Sequence, residues 1–243
     1  MKKLLFCGLM VALSIIAVGC SIFVTDKEKE EVEVNKGTFF IEKDKAEELE
    51  VQLNMGVGEL TVSKGSGNWI EGSIETNYKE LEPIVTYANK NNKGVVVIEQ
   101  QNNKDIRIGK IKNQWDMQLS EEIPMELSVM TGAASSKLDL KGLQLSKLDV
   151  ETGVGELHID MAGDWKKGFN TNIKTGVGAA TITLPSDVGV KIKYEKGIGA
   201  IQADGLILKE EGVYINEAYE NTDAIIEIVA EIGVGEVTFE LDQ

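Results

Sequence analysis

The chain has 243 residues, 40 acidic against 25 basic side chains, a net charge of −15 and 42% hydrophobic content. So acidic a surface repels phosphate backbones and argues against nucleic acid as a partner, while the apolar fraction is enough for a packed core. Twenty-five glycines against three prolines point to many tight corners and not to a disordered linker.

Residues 1–19 read as a signal peptide: Lys2 and Lys3 open it, and an apolar run from Leu4 to Val18 follows. The run ends in Ala17-Val18-Gly19-Cys20, where small residues precede a cysteine, as they do at the cleavage and acylation site of bacterial lipoproteins. Ala17 departs from that pattern, which more often has leucine there. Leu4–Val24 is also long enough to serve as an uncleaved membrane anchor. Either way the body sits outside the cytoplasm. Cleavage before Cys20 removes Cys7 as well, leaving one cysteine at the new N-terminus and no internal disulfide. It also removes two lysines, which deepens the net charge to −17. The expected anchorage is thus a lipid on Cys20, followed over 20–36 by a charged tether.

Beyond the tether an internal repeat sets the architecture. A Gly-x-Gly or Gly-x-Ala step recurs at Gly56-Val57-Gly58, Gly132-Ala133-Ala134, Gly153-Val154-Gly155, Gly176-Val177-Gly178, Gly197-Ile198-Gly199 and Gly233-Val234-Gly235. The first glycines are separated by 76, 21, 23, 21 and 36 residues, and the last interval has room for an added hairpin.

Both flanks of each step alternate apolar and polar residues, the mark of a half-buried strand. The alternation slips by one at the step. Leu148, Val150, Thr152 and Val154 share one parity, and Leu157, Ile159 and Met161 the other. A slip of one turns the second strand inside out unless the chain bends there, and glycine permits the positive φ of such a corner. No helix intervenes between copies, so the expected fold is all-β: a parallel β-solenoid of strand–corner–strand rungs, successive copies stacked in order.

The 76-residue interval differs. Trp69–Thr76, Pro83–Tyr87, Val95–Gln100, Ile106–Ile111 and Trp115–Leu119 read as short strands, with a turn over Asn89–Gly94. Residues 37–120 are taken as a first rung plus an inserted or lateral β subdomain, with rungs that lost their glycine step as the other reading. Residues 121–243 hold the remaining repeats.

Three features together resemble the toast-rack lipoproteins and the related adhesin-type β-solenoid domains. They are the lipoprotein-like start, Ile123-Pro124-Met125-Glu126-Leu127, and Thr152-Gly153-Val154-Gly155-Glu156-Leu157. The resemblance covers the chain from about residue 45 onward. It implies a cell-surface β-solenoid without established catalytic residues, of a kind found in membrane proteins tied to envelope-stress signalling. It carries no residue-level site.

Chemistry is sparse. His158, the single histidine, alternates with Leu157 and Ile159 and should face solvent, which argues against a metal cluster or a catalytic triad. The glycine steps precede strands, so they are not phosphate loops. Glu59, Glu156 and Glu236 follow their steps directly and would form an acidic, calcium-type ladder if stacked, but Ala179 and Ala200 stand at that place in other copies. Trp69, Trp115 and Trp165 offer either a sugar platform or plugs for the core, the second being favoured. Arg107 is the only arginine, too little basic character for a polysaccharide lyase. The expectation is a non-catalytic lipoprotein without a cofactor, tied to the membrane by its lipid and to an unidentified envelope or surface partner. It would act as an interaction or adhesion module or as an accessory to stress sensing. A polysaccharide-directed β-helix enzyme and a calcium-dependent spacer are the alternatives.

Overall fold

The computed structural model describes residues 30–31, 34, 37–101 and 110–242. The signal peptide, Cys20, most of the tether, Arg107 and most of the expected 106–111 strand lie outside the described residues.

The alternating segments form strands: β1 (Glu30–Glu31), β2 (Thr38–Ile41), β3 (Glu48–Lys64), β4 (Ile70–Thr76), β5 (Pro83–Lys90), β6 (Lys93–Gln100) and β7 (Asn113–Leu119). They continue with β8 (Met125–Asp139), β9 (Leu145–Asp160), β10 (Phe169–Leu184), β11 (Gly189–Asp204), β12 (Ile207–Glu210), β13 (Val213–Ile215) and β14 (Ile225–Leu241). The chain is all-β apart from two short 3-10 turns, and its long strands form a mostly parallel open sheet. Among the described residues no helix is long and apolar enough to cross a membrane.

Each glycine step lies inside one long, uninterrupted strand. These six strands pair in parallel in the order β3-β8-β9-β10-β14-β11. The order corrects the expectation that successive copies stack in sequence, since the last copy enters between the fourth and the fifth. The long final interval explains it. It holds the β12–β13 hairpin, and β13 takes the outer edge of β11 over Lys191–Lys193. The returning chain is left the inner edge.

Connection lengths show that the long strands are bent. A straight strand of β8's 15 residues would run about 50 Å. The link over 140–144, from the end of β8 to the start of β9, reaches about 20 Å at most. Because β8 and β9 pair in parallel along their length, both strands must double back. Burial agrees: Leu148, Val150 and Thr152 are buried before the step in β9, Leu157 and Ile159 after it, and the apolar residues of both halves join one cluster.

At the other side of the sheet, β6 runs parallel to the first half of β3 (Glu48–Asn54) and β7 parallel to the second (Glu59–Lys64). Together they lie along β3 as a rung would, split where a step would stand. β4 pairs antiparallel with β7 and β2 with β4. The β5–β6 hairpin turns on Asn91 and Asn92, both at positive φ (54° and 64°), the two-residue turn that suits the twist of paired strands.

Candidate functional site

The glycine steps stack into register. Across the strands Gly58, Ala134, Gly155, Gly178, Gly235 and Gly199 are paired neighbours. At the second position every glycine has positive φ, between 141° and 153°, whereas the alanine copy does not, and Ala134 lies buried in the core. The glycines also allow close approach. A Cβ on Gly153 would stand 2.6 Å from the carbonyl oxygen of Gly132, and one on Gly155 would fall on the carbonyl of Ala134. The same relation recurs across the sheet, always towards β11: the carbonyl of Gly153 fills the space at Gly176, that of Gly233 the space at Gly197, and that of Gly235 the space at Gly199. The steps therefore form two columns of carbonyls pointing one way.

The start of these columns is closed by side chains. Gln100 Oε1 accepts hydrogen bonds from the backbone N–H of Gly56 (3.0 Å) and of Val57 (3.2 Å). Asn113 Nδ2 donates to the carbonyl of Val57 at 2.7 Å, and its Oδ1 accepts from the Trp115 indole at 3.0 Å. Sequence reasoning missed this cap. A signal was present in the alternation of Val95–Gln100 and of Trp115–Leu119, which match the two flanks of a rung with its step replaced by an insertion.

The residues between the glycines form an exposed row. Val154, Val177, Val234 and Ile198 are in register on neighbouring strands and are 54%, 49%, 46% and 76% exposed. The alternation places Val154 and its equivalents inside. The structure turns them out because the inward run stops at Thr152 and its counterparts, one residue before the first glycine. Beside this row the missing side chains of Gly153, Gly176 and Gly233 leave a shallow groove of about 530 Å³, edged by Glu151, Lys174 and Glu231, the last two paired at 3.0 Å.

The remaining candidates are not brought together. Glu59, Glu156 and Glu236 share one row, but Ser135 separates the first pair and Ala179 the second. Ala200 lies beyond Glu236 and not between the glutamates, a consequence of the strand order. Glu59 accepts from Gln114 at 2.8 Å and Glu236 is hydrogen-bonded by Gln202. Among the described residues no three acidic, histidine or cysteine side chains could hold a metal ion. His158 is exposed between Lys137 and Thr181 of the neighbouring strands. The sugar-platform reading of the tryptophans does not survive: all three are buried, and their indoles donate to Asp44, Asn113 and the Met161 carbonyl.

Residues 26–183 match the model of the N-terminal domain of toast-rack proteins (DUF2154). The chain belongs to the toast-rack family. A crystal structure of a proposed cell adhesion protein from Clostridium sporogenes is 33% identical to this toast-rack chain. It covers 88% of this chain and 99% of its own, with a TM-score of 0.82. A proposed adhesin from Bacteroides fragilis covers 88% of this chain and 97% of its own at 12% identity, with a TM-score of 0.27. No curated protein matches the sequence.

Proposed function

We propose that this toast-rack chain is a non-catalytic surface lipoprotein, held to the outer face of a bacterial membrane by a lipid on Cys20, that acts as an adhesion or interaction module. In this reading each glycine step is the corner of a solenoid rung, and the stacked corners form the contact surface. The observation that carries it is the in-register row Val154–Val177–Val234–Ile198, four apolar side chains exposed side by side on a strongly acidic chain. Likeness to the Clostridium protein supports an adhesive role. The shallow groove, the paired Lys174–Glu231 and a lone exposed histidine supply no acid and base held together in a pocket.

The test uses cells displaying the full chain. Replacing Val154 and Val177 by aspartate should reduce adherence to envelope polysaccharide and to neighbouring cells without lowering the melting temperature. Cys20→Ser should release the protein from the membrane and abolish lipid labelling. Undiminished adherence by the double variant would remove the row from the function. Turnover of an envelope polysaccharide that vanishes with a single Asp or Glu substitution would establish an enzyme instead.

A further inference from the structure

The two ends of the stacked steps are unequal. At β3 the backbone N–H groups of Gly56 and Val57 are met by Gln100. At β11 the carbonyl columns run out: from Gly132 and Ala134 onward the carbonyls at the first and third positions of each step point towards the next strand in the order, and beyond Gly197 and Gly199 there is none among the described residues. β13 pairs with β11 only over Lys191–Lys193, with one further bond from Tyr194 N–H to the Gly212 carbonyl. From Glu195 to Asp204 the outer edge of β11 has no strand beside it among the described residues.

The core is also unfinished there. On β14 the inward positions Ala230, Val237 and Phe239 are 1%, 2% and 0% exposed. Their partners on β11, Tyr194, Ile201 and Ala203, are only half-buried. Ile198 is among the most exposed large apolar residues. A long sheet edge in this condition is a template for strand addition unless it is covered or charged, and Lys196 and Asp204 are its only charged side chains past Glu195.

We propose that the edge of β11 over 196–204 is the docking site for an extended segment of a partner protein, which adds in parallel as one more rung and carries a glycine step of its own. The chemistry follows from the interfaces already made. Gly153 against Gly132, Gly176 against Gly153 and Gly199 against Gly235 each leave no room for a Cβ opposite the previous carbonyl. An incoming strand must therefore be bare at the position facing Gly197, must carry nothing larger than the alanine that stands opposite Gly58 at the position facing Gly199, and must bring donors to their carbonyls. Apolar residues on its inner side would seal Ile201 and Ala203. A second copy of this chain cannot supply such a rung from its β3 end, because β6, β7, Gln100 and Asn113 already occupy that edge.

The probe is a synthetic peptide of this chain's own residues 152–160, which carries a complete step and in parallel register spans 196–204 without reaching the edge held by β13, fitted with a photo-crosslinker and offered to the full chain. Saturable binding is expected, with crosslinks confined to 196–204. The same peptide with valine for both glycines should bind at least tenfold more weakly, and Ile198→Glu in the chain should weaken binding of the native peptide. Absence of binding, equal binding by the glycine-free peptide, or crosslinks spread over β8 and β10 through strand exchange would each overturn the proposal. So would self-association of the chain without peptide that Ile198→Glu abolishes, since that would make a second copy the occupant.

Discussion

Gly155 and Ala134 meet where a side chain and a carbonyl would compete for one place: the oxygen of Ala134 occupies the position of the absent Gly155 Cβ. Gly155 also sits at φ +141°, so two separate costs oppose any larger residue. Gly163 isolates one of them, because it has φ +103° with nothing within 4 Å of its Cβ position. Gly163→Ala should cost about 1–2 kcal/mol, the strain alone. Gly155→Val should cost about 3–5 kcal/mol, since the neighbouring strand must also move. Urea unfolding of the two variants measures the difference, and equal losses would show that close approach contributes nothing.

Thr131 and Thr152 share a 2.8 Å hydrogen bond between buried hydroxyls of adjacent strands. Replacing either by valine strands the other hydroxyl and should cost about 1–3 kcal/mol, whereas replacing both should be close to neutral. A double-mutant cycle reads the coupling directly. Additive losses would mean that the pair does not act as a pair.

The cap at β3 predicts a local effect. Gln100→Ala should raise amide exchange at Gly56 and Val57 while leaving global stability within about 1 kcal/mol, because the bond to Gly56 is exposed and that to Val57 only part-buried. Asn113→Ala should cost more, about 2–3 kcal/mol, since the side chain is buried and bonds on both sides. Unchanged exchange at Gly56 and Val57 in Gln100→Ala would show that water serves as well as the glutamine.

Asp44 gives the pH dependence. Burial, the largest single influence, pushes its carboxyl up. Hydrogen bonds from Asn89 (2.7 Å), the Trp69 indole (3.1 Å) and the Ala46 N–H (2.9 Å) together outweigh it and hold the group below its ordinary value of 3.8. A folded value below the unfolded one means that the stabilisation is complete above pH 3.8 and is lost as the pH falls through the lower, folded value. Asp44→Asn should therefore be less stable than the parent at neutral pH, with the gap closing in acid. A gap of constant size across that titration would show that the charge is not what matters.

The alternation around Leu148 and Leu157 was enough to read both halves of a long strand, and the all-β class with them, because a period of two with one buried side survives any later arrangement. What it could not reveal was where β14 would go. Pairing partners are set by long-range geometry, here by a hairpin on the outer edge of β11, and all six repeats are similar enough to pair with any other. Val154 was misread for a related reason. Parity counts residues as if the backbone kept one sense of pleat, and the pleat is lost at the first glycine. Gln100 and Asn113 escaped because a cap is built from side chains far apart in sequence and leaves no periodic trace.

The position of β14 has a consequence for the order of assembly. It follows β11 in the chain yet stands between β10 and β11, so a nascent molecule completed as far as β11 has its two latest rungs facing a gap one strand wide. Until residues 225–241 arrive, the two strand edges beside that gap are unpaired and open to any extended segment nearby. A chain cut at residue 224 should keep β3 through β10 protected from exchange while β11 loses protection everywhere except beside β13, over Lys191–Lys193. Protection of β11 in that truncated chain would mean that it can find β10 unaided.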